Sequence, residues 1–492
     1  MTKKQDFYTL LGLRRNASAE DIRQAYFEAA RRLHPDKNTV PGDTEIFLDN
    51  QEAYEVLSNP KKRVKYDSTL PPEKPADNPL DQRVLFSRES LIRMAEPQLI
   101  YVLMEFSHPV DLQTSPAPSL NLCLVLDRST SMQGLNIDVV KATAIQIMRK
   151  MKPQDIFSVV AFSDRAEEII PASRSTELSK LEARIHMLQP SGGTEIFSGL
   201  EMGYNGIIRN LQHAQVNHII LLTDGRTYGD EDKCISLAHR ASEQGVGISG
   251  LGIGSEWNDS FLDDLASCTG GSSMYVSRPQ DIQKTLLDKF TRLGSAYAEE
   301  TRLDFKIPEG IELRYAFRLQ PEAGVLSFES PMMLGPIVRD TSLRVLMEFV
   351  VQPQTVQQNA VTLFDGKMSV TLTDVYSPTR PIPIRLIRPF TDETRTDIPS
   401  AEIVEALSRL KLYRLQEQAR LEVTAGEYDQ ASEHLHRLAT HLLSQGERGL
   451  ARTALLEAEH IQQNKSFSQQ GRKEIKYGTR ALLTSGRSSE DL

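Results

Sequence analysis

Carboxylate and hydroxyl side chains form the group of residues in this sequence that could bind a metal ion. Asp127, Ser129 and Ser131 alternate with other residues directly after a continuous apolar run, and Asp224 follows a second such run. Thr194 follows a pair of glycines in front of a helical pattern. Because hard divalent cations prefer such oxygen ligands, the spacing predicts a site for Mg²⁺, with Mn²⁺ or Ca²⁺ as alternatives.

The charge of this group indicates how an ion would be used. Two carboxylates and neutral hydroxyls neutralise a divalent cation only in part, so a coordination position could accept an acidic group from another molecule. An Asp-x-Ser-x-Ser pattern by itself is also typical of a helix N-cap, and a lone threonine is unremarkable. The metal interpretation therefore depends on the three segments meeting in space.

A second candidate site lies near the amino terminus, at His34, Pro35 and Asp36. A helical pattern begins at Ser18 and ends at this tripeptide, because a residue before proline avoids the α region. Taken alone, the tripeptide is typical of a helix stop with a polar loop. A second helical pattern starts near Thr44, and two antiparallel helices of this size can bury a small core between them.

Apolar runs alternate with amphipathic stretches through the middle of the chain. The runs cover residues 122–126, 157–162, 218–223 and 246–252 and are typical of strands buried on both faces. Such alternation predicts a doubly wound, mostly parallel α/β sheet. Because ligands bind at the carboxyl ends of strands in these sheets, the strands would position the metal group.

Changes of pattern divide the chain into five segments. We predict an all-α domain (1–67), a Pro-rich linker (68–84), the α/β domain (85–298), a β-rich sandwich-like domain (299–390) and a helical domain (399–485). The strand-like segment Gln98–Phe106 fits either sheet region. A step at Gly426 resembles a tetratricopeptide turn, but its spacing favours an ordinary helical hairpin packed on the sandwich.

Composition limits the class of protein. The 492 residues carry a formal net charge of −9, which argues against non-specific binding to nucleic acid. Three widely separated cysteines do not predict a disulfide framework or a zinc ribbon. Without a signal-peptide pattern or an apolar run of about 18 residues, we expect a cytoplasmic protein with no membrane span.

Residues 5–67 resemble a J domain of the DnaJ family. The resemblance is carried, in order, by Asp6-Phe7-Tyr8, Leu11-Gly12, Ala25-Tyr26, His34-Pro35-Asp36, Ala53-Tyr54 and Tyr66-Asp67. It implies binding to a DnaK-type chaperone. By the same resemblance, the tripeptide would trigger ATP hydrolysis in that partner, and Arg23 and Tyr26 would lie on the contacting surface.

Three positions in this segment depart from the family pattern. Phe27 and Glu28 stand where basic residues are usual, which removes part of the positive face that steers a J domain onto an acidic chaperone surface. Asn50 stands at a normally apolar position, and burying it without partners would cost roughly 1–3 kcal/mol. We expect a folded J domain with weakened or selective chaperone pairing.

Residues 97–295 resemble a von Willebrand factor type A domain, notably in LNLCLVLDRSTSM, LQPSGGTEIFSGL and LLTDGRTYGD. The resemblance implies a metal-ion-dependent adhesion site. Its hydroxyl ligands would be Ser129, Ser131 and Thr194, and its largely water-mediated carboxylates would be Asp127 and Asp224. Thr130 departs from the glycine usual in this branch and places a β-branched residue in a tight loop.

Patterns of catalysis are missing from the sequence. No histidine lies near Ser129, and neither a Gly-x-Ser-x-Gly elbow nor a Walker A loop occurs. The sequence therefore predicts a non-enzymatic co-chaperone of a bacterial, intracellular type, which binds a target with an exposed acidic residue and recruits a DnaK-type chaperone. The alternative is a metal-dependent scaffold whose J domain no longer activates a chaperone.

Overall fold

The computed structural model describes residues 7–11, 17, 22–27, 30, 43–67, 80–108, 118–174, 178–211, 215–227, 229–353, 359–372, 380–392 and 398–484. The chain divides into two compact units, Met1–Asp77 with Val375–Arg380 and Asn78–Asp374 with Pro381–Leu492. The first unit contains the amino-terminal helices. The second contains an α/β sheet with its helices, a β-sandwich and the carboxyl-terminal helices, and these three parts contact one another.

The first unit is all-α, as the sequence predicts. Its helices are α1 (Phe7–Leu10), α2 (residues 22–27), α3 (Asp43–Leu57) and α4 (Pro60–Asp67). Tyr8, Ile22, Ala53 and Leu57 are buried between them. The ring of Tyr26 stacks on Tyr54 with 4.2 Å between centroids, which joins α2 to α3.

The positions that depart from the family pattern have different environments in this unit. Asn50 is buried, at 4% exposure, as its place on α3 predicts. Phe27 is 51% exposed, and the guanidinium of Arg23 lies 5.9 Å from its ring centroid. Glu28 and the tripeptide of His34, Pro35 and Asp36 lie outside the described residues.

The α/β sheet of the second unit has six strands in the order β6-β5-β4-β7-β8-β9. The strands are β4 (Ser119–Asp127), β5 (Ile156–Phe162), β6 (Ala166–Ser173), β7 (Gln215–Thr223), β8 (Val246–Ile253) and β9 (Ser273–Val276). All pairs are parallel except β5 with β6. The doubly wound, mostly parallel prediction is confirmed.

Six helices cover the two faces of this sheet. They are α5 (Leu135–Lys150), α6 (Leu178–His186), α7 (Ile196–Arg209), α8 (Glu231–Glu243), α9 (Asp259–Cys268) and α10 (Pro279–Gly294). Alternate residues of the central strand face opposite apolar cores, so Leu122 and Leu124 pack in one and Cys123 and Val125 in the other. This burial explains why β4 is apolar throughout.

Two further sheets form a sandwich. One has the order β1-β3-β15-β11-β12 and the other β13-β10-β16-β17-β2, with β14 paired to β10. Their strands are β1 (Asp81–Phe86), β2 (Leu91–Ile92), β3 (Gln98–Ser107), β10 (Ala296–Lys306), β11 (Ile311–Gln320), β12 (Gly324–Val325), β13 (Met332–Met333), β14 (Ile337–Val338), β15 (Leu343–Val351), β16 (Ala360–Leu372) and β17 (Ile382–Thr391). Phe349 and Phe364 meet edge-to-face between the sheets.

The start predicted for the α/β domain, residue 85, is wrong. Strand β3 pairs with β15 in an antiparallel register that runs from Gln98 opposite Val351 to Phe106 opposite Leu343, so it belongs to the sandwich. Strand β1 starts inside the predicted linker and pairs with β3. Both edges of β4 are occupied by β5 and β7, so the α/β sheet offers β3 no position beside its first strand. The sandwich therefore uses strands from both sides of the α/β domain.

Four helices complete the second unit: α11 (Ala401–Ala425), α12 (Tyr428–Ser444), α13 (Arg448–Asn464) and α14 (Gln469–Thr484). Gly426 ends α11 with φ of 85°, a left-handed conformation that costs glycine little. Ile403 and Tyr413 of α11 pack on Leu103 and Phe317 of the sandwich. Among the described residues, no helix has the length and apolar character needed to cross a membrane.

Candidate metal centre

The five residues singled out as metal ligands lie at one edge of the α/β sheet. Chain order reverses at β4, whose neighbours β5 and β7 lie on opposite sides, and loops at such a point leave a crevice at the carboxyl ends of the strands. We name the three loops there by order: the first loop (128–134), the second loop (190–195) and the third loop (224–230).

The first loop turns its polar side chains toward one another. Asp127 ends β4 and is fully buried, and its Oδ1 accepts the backbone N–H of Ser129 at 2.8 Å. The hydroxyl oxygens of Ser129 and Ser131 are 2.9 Å apart. Ser131 donates its proton to Asp224 Oδ1 at 2.6 Å, so Ser129 is the donor in the serine pair and one lone pair of the Ser131 hydroxyl remains for a cation.

The third loop follows β7 and is held by a residue that the sequence patterns did not single out. The Thr223 hydroxyl donates to Asp127 Oδ2 at 2.7 Å and accepts the N–H of Gly225 at 3.2 Å. It thereby fixes both the buried carboxylate and the turn that carries Asp224. Its place as the last residue of an apolar run, directly before that aspartate, was the signal available in the sequence.

Thr194 of the second loop is buried against the third loop. A Cβ atom at Gly225 would lie 3.0 Å from the Thr194 hydroxyl oxygen, so the side chain lies directly beside the turn after Asp224. The first two N–H groups of α7, which begins two residues after Thr194, donate to Thr227 and Asp230 of the third loop. These bonds fix the second loop relative to the third.

The first and second loops are also joined directly. Thr130 donates its N–H and its hydroxyl to the carbonyl of Gly192, the hydroxyl at 2.7 Å. The β-branched residue that departs from the family pattern thus forms a bond between two loops. Gly192 has φ of 76°, and a Cβ there would lie 2.3 Å from a carboxylate oxygen of Asp164, so glycine is required. That aspartate, which also accepts the N–H of Gly193, was not identified from the sequence although it follows β5 closely.

The two carboxylates lie in an environment that disfavours negative charge. Burial raises the pKa of Asp127 to about 6, against the lowering effect of hydrogen bonds from Ser129 and Thr223. Burial also raises the pKa of Asp224, against hydrogen bonds from Ser131 and Asn136. Within the described residues no cationic side chain pairs with either, and neighbouring Arg128 contacts Glu167 instead.

Such a donor set fits a hard divalent cation. Two carboxylates without a cationic partner and three hydroxyl oxygens provide oxygen atoms only. The described residues contain no group of three or more His, Cys, Asp or Glu side chains that could hold a metal ion, so a cation at this centre would need the hydroxyl oxygens as well as the two carboxylates. Ser131 is exposed, which leaves an approach from solvent.

The predicted chaperone-binding surface lies only partly within the described residues. Arg23 is exposed on α2, and Tyr26 is half-buried against Tyr54. The structure therefore places these two residues on one helix of the first unit, with Arg23 beside the exposed ring of Phe27.

Three family models match separate segments of the chain. Residues 6–67 match the DnaJ domain, and residues 121–289 match the von Willebrand factor type A domain. The chain joins a J domain to a von Willebrand factor type A domain. Residues 401–485 match the family described as Sll0103-like, C-terminal alpha-helical domain. Both named domains are typically interaction modules rather than enzymes.

Similar proteins support each half of the fusion. The "Uncharacterized protein sll0103" of Synechocystis is 26% identical over 65% of this chain and 78% of its own length. "Chaperone protein DnaJ" of Dictyoglomus thermophilum is 49% identical over 14% of this chain and 17% of its own. A solved structure described as "von Willebrand factor type A from Catenulispora acidiphila" shares the fold over 82% of this chain and 97% of its own, with a TM-score of 0.62 and 15% identity.

Proposed function

We propose that the protein is a non-enzymatic J-domain co-chaperone that holds a protein target through a metal-ion-dependent adhesion site. The observation that carries the proposal is the group of buried carboxylates and converging hydroxyls, which no described cationic side chain pairs with, in a chain that also has a J domain. A J domain acts on an ATP-dependent chaperone of the DnaK type. We therefore place the protein in the cytoplasm with that partner.

The residues of the metal centre would have distinct tasks. Ser129, Ser131 and Thr194 would supply hydroxyl oxygens, and Asp224 would orient the Ser131 proton away from the ion. Asp127 would remain behind them, held by Ser129 and Thr223. A bound Mg²⁺, or Mn²⁺ or Ca²⁺, would offer a coordination position to an acidic side chain of the target.

Calorimetry on the full chain tests the proposed binding of a divalent cation. The wild type should bind Mg²⁺ or Mn²⁺ with one site, and Asp127→Ala should bind neither. Asp288→Ala is a matched control, because Asp288 is an exposed aspartate on α10, outside the three loops of the centre. Unchanged binding by Asp127→Ala would contradict the assignment.

The chaperone part is tested by ATP hydrolysis. The full chain should accelerate hydrolysis by a DnaK-type chaperone, and His34→Gln should abolish that acceleration. Equal acceleration by both proteins would show that the J-domain tripeptide is not used.

A second candidate function is a metal-dependent scaffold whose J domain no longer activates a chaperone. Phe27, exposed at 51% where basic residues are usual, favours it because steering toward an acidic partner is reduced. The variant Phe27→Lys distinguishes the two. Stimulation that appears only in this variant supports the scaffold, and stimulation by the wild type supports the co-chaperone.

A further inference from the structure

The third loop of the metal centre contacts the carboxyl-terminal helical domain through Arg226. Arg226 lies two residues after Asp224, and its Nε donates to the carbonyl of Glu256 at 3.0 Å. Its Nη2 donates to Gln469 Oε1, the first residue of α14, at 3.4 Å. One side chain therefore connects the metal centre to two segments outside its own loops.

Helix α14 also holds the segment that provides the Glu256 carbonyl. Lys473 is fully buried, and its Nζ donates to the carbonyls of Ser255 and Trp257, the latter at 2.6 Å. The same ammonium lies 4.6 Å from the centroid of the Trp257 ring. Both acceptors of Arg226 are thus positioned by α14.

A second path leads from the same tryptophan to the buried carboxylate. A Cβ atom at Gly252 of β8 would lie 1.9 Å from the Trp257 ring, so the ring packs directly on the strand backbone. Gly252 pairs with Thr223 of β7, whose hydroxyl holds Asp127. The carboxyl end of β7 and the third loop are therefore both supported by contacts that α14 fixes.

Ion pairs fix α14 on the α/β domain and make it a rigid support. Arg472 and Lys476 contact Asp259, each at 2.5 Å, and Arg480 contacts Asp263 at 2.5 Å. These cations are spaced along one side of α14, and both carboxylates lie on α9. Because the pairs are largely buried, moving the helix away would leave uncompensated charges in the interior, which disfavours such a displacement.

We propose that Arg226 is a positioning residue of the metal centre, through which α14 of the carboxyl-terminal domain holds Asp224 in place. The inference rests on the proposed metal binding. It assigns the helical domain a task in that binding, as a fixed support for the third loop. Two exposed hydrogen bonds from one guanidinium predict a moderate effect on affinity.

The test compares Arg226→Ala and Gln469→Ala with the wild type by Mn²⁺ calorimetry on the full chain. We expect Arg226→Ala to weaken Mn²⁺ binding about threefold to tenfold, Gln469→Ala to weaken it less, and Arg226→Lys to restore part of the affinity. Arg149→Ala is the matched control, since Arg149 is an exposed arginine paired with Glu182 far along α5. The unfolding midpoint should stay unchanged in all of them.

A metal-free measurement separates positioning from folding. In chelator, hydrogen exchange of the Gly225 amide, which donates to Thr223, should be faster in Arg226→Ala than in the wild type. Wild-type affinity in Arg226→Ala would overturn the positioning role even if exchange changed. A wild type that binds no Mn²⁺ would instead refute the proposed metal function, while normal wild-type binding with no effect of the variant would refute only this inference.

Discussion

Two pairs of aspartates in the same α/β domain have opposite electrostatic surroundings. Asp127 and Asp224 lie at the carboxyl ends of β4 and β7 with no cationic partner in the described part of the chain, and burial raises the pKa of each. Asp259 and Asp263 on α9 contact Arg472, Lys476 and Arg480 of α14. Burial alone would raise the pKa of these carboxyls too, but the adjacent cations outweigh it and lower the pKa of both.

The difference shows that one fold places carboxylates in two distinct electrostatic environments. The α9 pair is neutralised by the chain itself, so its charge contributes to holding two domains together. The pair at the strand ends is surrounded by hydroxyls, which stabilise a negative charge without neutralising it. Such a pair is suited to a cation from solution.

The largest expected effect is on the free energy of unfolding, which should distinguish the α9 aspartates from the strand-end aspartates. Asp263→Asn should lower the free energy of unfolding by about 3–5 kcal/mol, because Arg480 would remain buried without its carboxylate. Asp127→Asn in chelator should change it by less than about 1 kcal/mol, since an amide of the same shape avoids burying a charge. Fluorescence of Trp257, the only tryptophan, reports urea unfolding at this junction. Equal losses in both variants would remove the distinction.

A divalent cation from solution should stabilise the folded protein through the strand-end pair, Asp127 and Asp224, and not through the α9 pair. Mg²⁺ or Mn²⁺ at about 100 times its dissociation constant should raise the free energy of unfolding of the wild type by about 2.7 kcal/mol. Asp127→Asn should show no such gain. A weakened Asp263→Asn protein that still folds should keep most of this gain, because its strand-end pair is intact and Arg472 and Lys476 still hold α14 on Asp259. A gain in Asp127→Asn equal to that of the wild type would place the ion elsewhere.

Lowering the pH should destabilise the protein through the α9 pair, Asp259 and Asp263. Arg480 and Lys476 hold the pKa of Asp263 below the value of about 3.9 expected in the unfolded chain. Its stabilising contribution is therefore present above about pH 4 and is lost as the pH falls through the folded-state pKa. Urea unfolding of the wild type between about pH 6 and pH 2.5 should show this loss, and Asp263→Asn should show less of it. A variant as acid-sensitive as the wild type would assign the loss to other carboxylates.

The smallest expected effect concerns the bond between the first and second loops. Thr130→Gly removes the hydroxyl bond to Gly192 and should cost about 1 kcal/mol of stability, with Thr130→Ser retaining most of it. The Mn²⁺ affinity of Thr130→Gly should stay within about threefold of the wild type, because no ligand is removed. A larger loss, measured by calorimetry, would make Thr130 part of the binding site.

Local sequence was enough to identify most of this centre. Asp127 and Asp224 each follow a continuous apolar run, and strands buried on both faces require such runs, so position after a strand could be inferred from pattern alone. The same reasoning found Thr194 in front of a helix. It did not find Thr223 or Asp164, because their tasks arise from hydrogen bonds across loops rather than from a short motif.

Periodicity and short motifs depend on neighbouring residues, so the main helices and strands, the candidate ligands and the two domain families could be recognised without coordinates. The pairing of β3 with β15, across more than two hundred residues, could not, because an apolar strand fits the interior of either sheet equally well. The fold also determines which carboxylates lie beside a cationic side chain of the same chain. Asp263 and Arg480 are far apart in the chain, and only the packing of α14 on α9 brings them together, whereas no described cationic side chain pairs with Asp127 or Asp224.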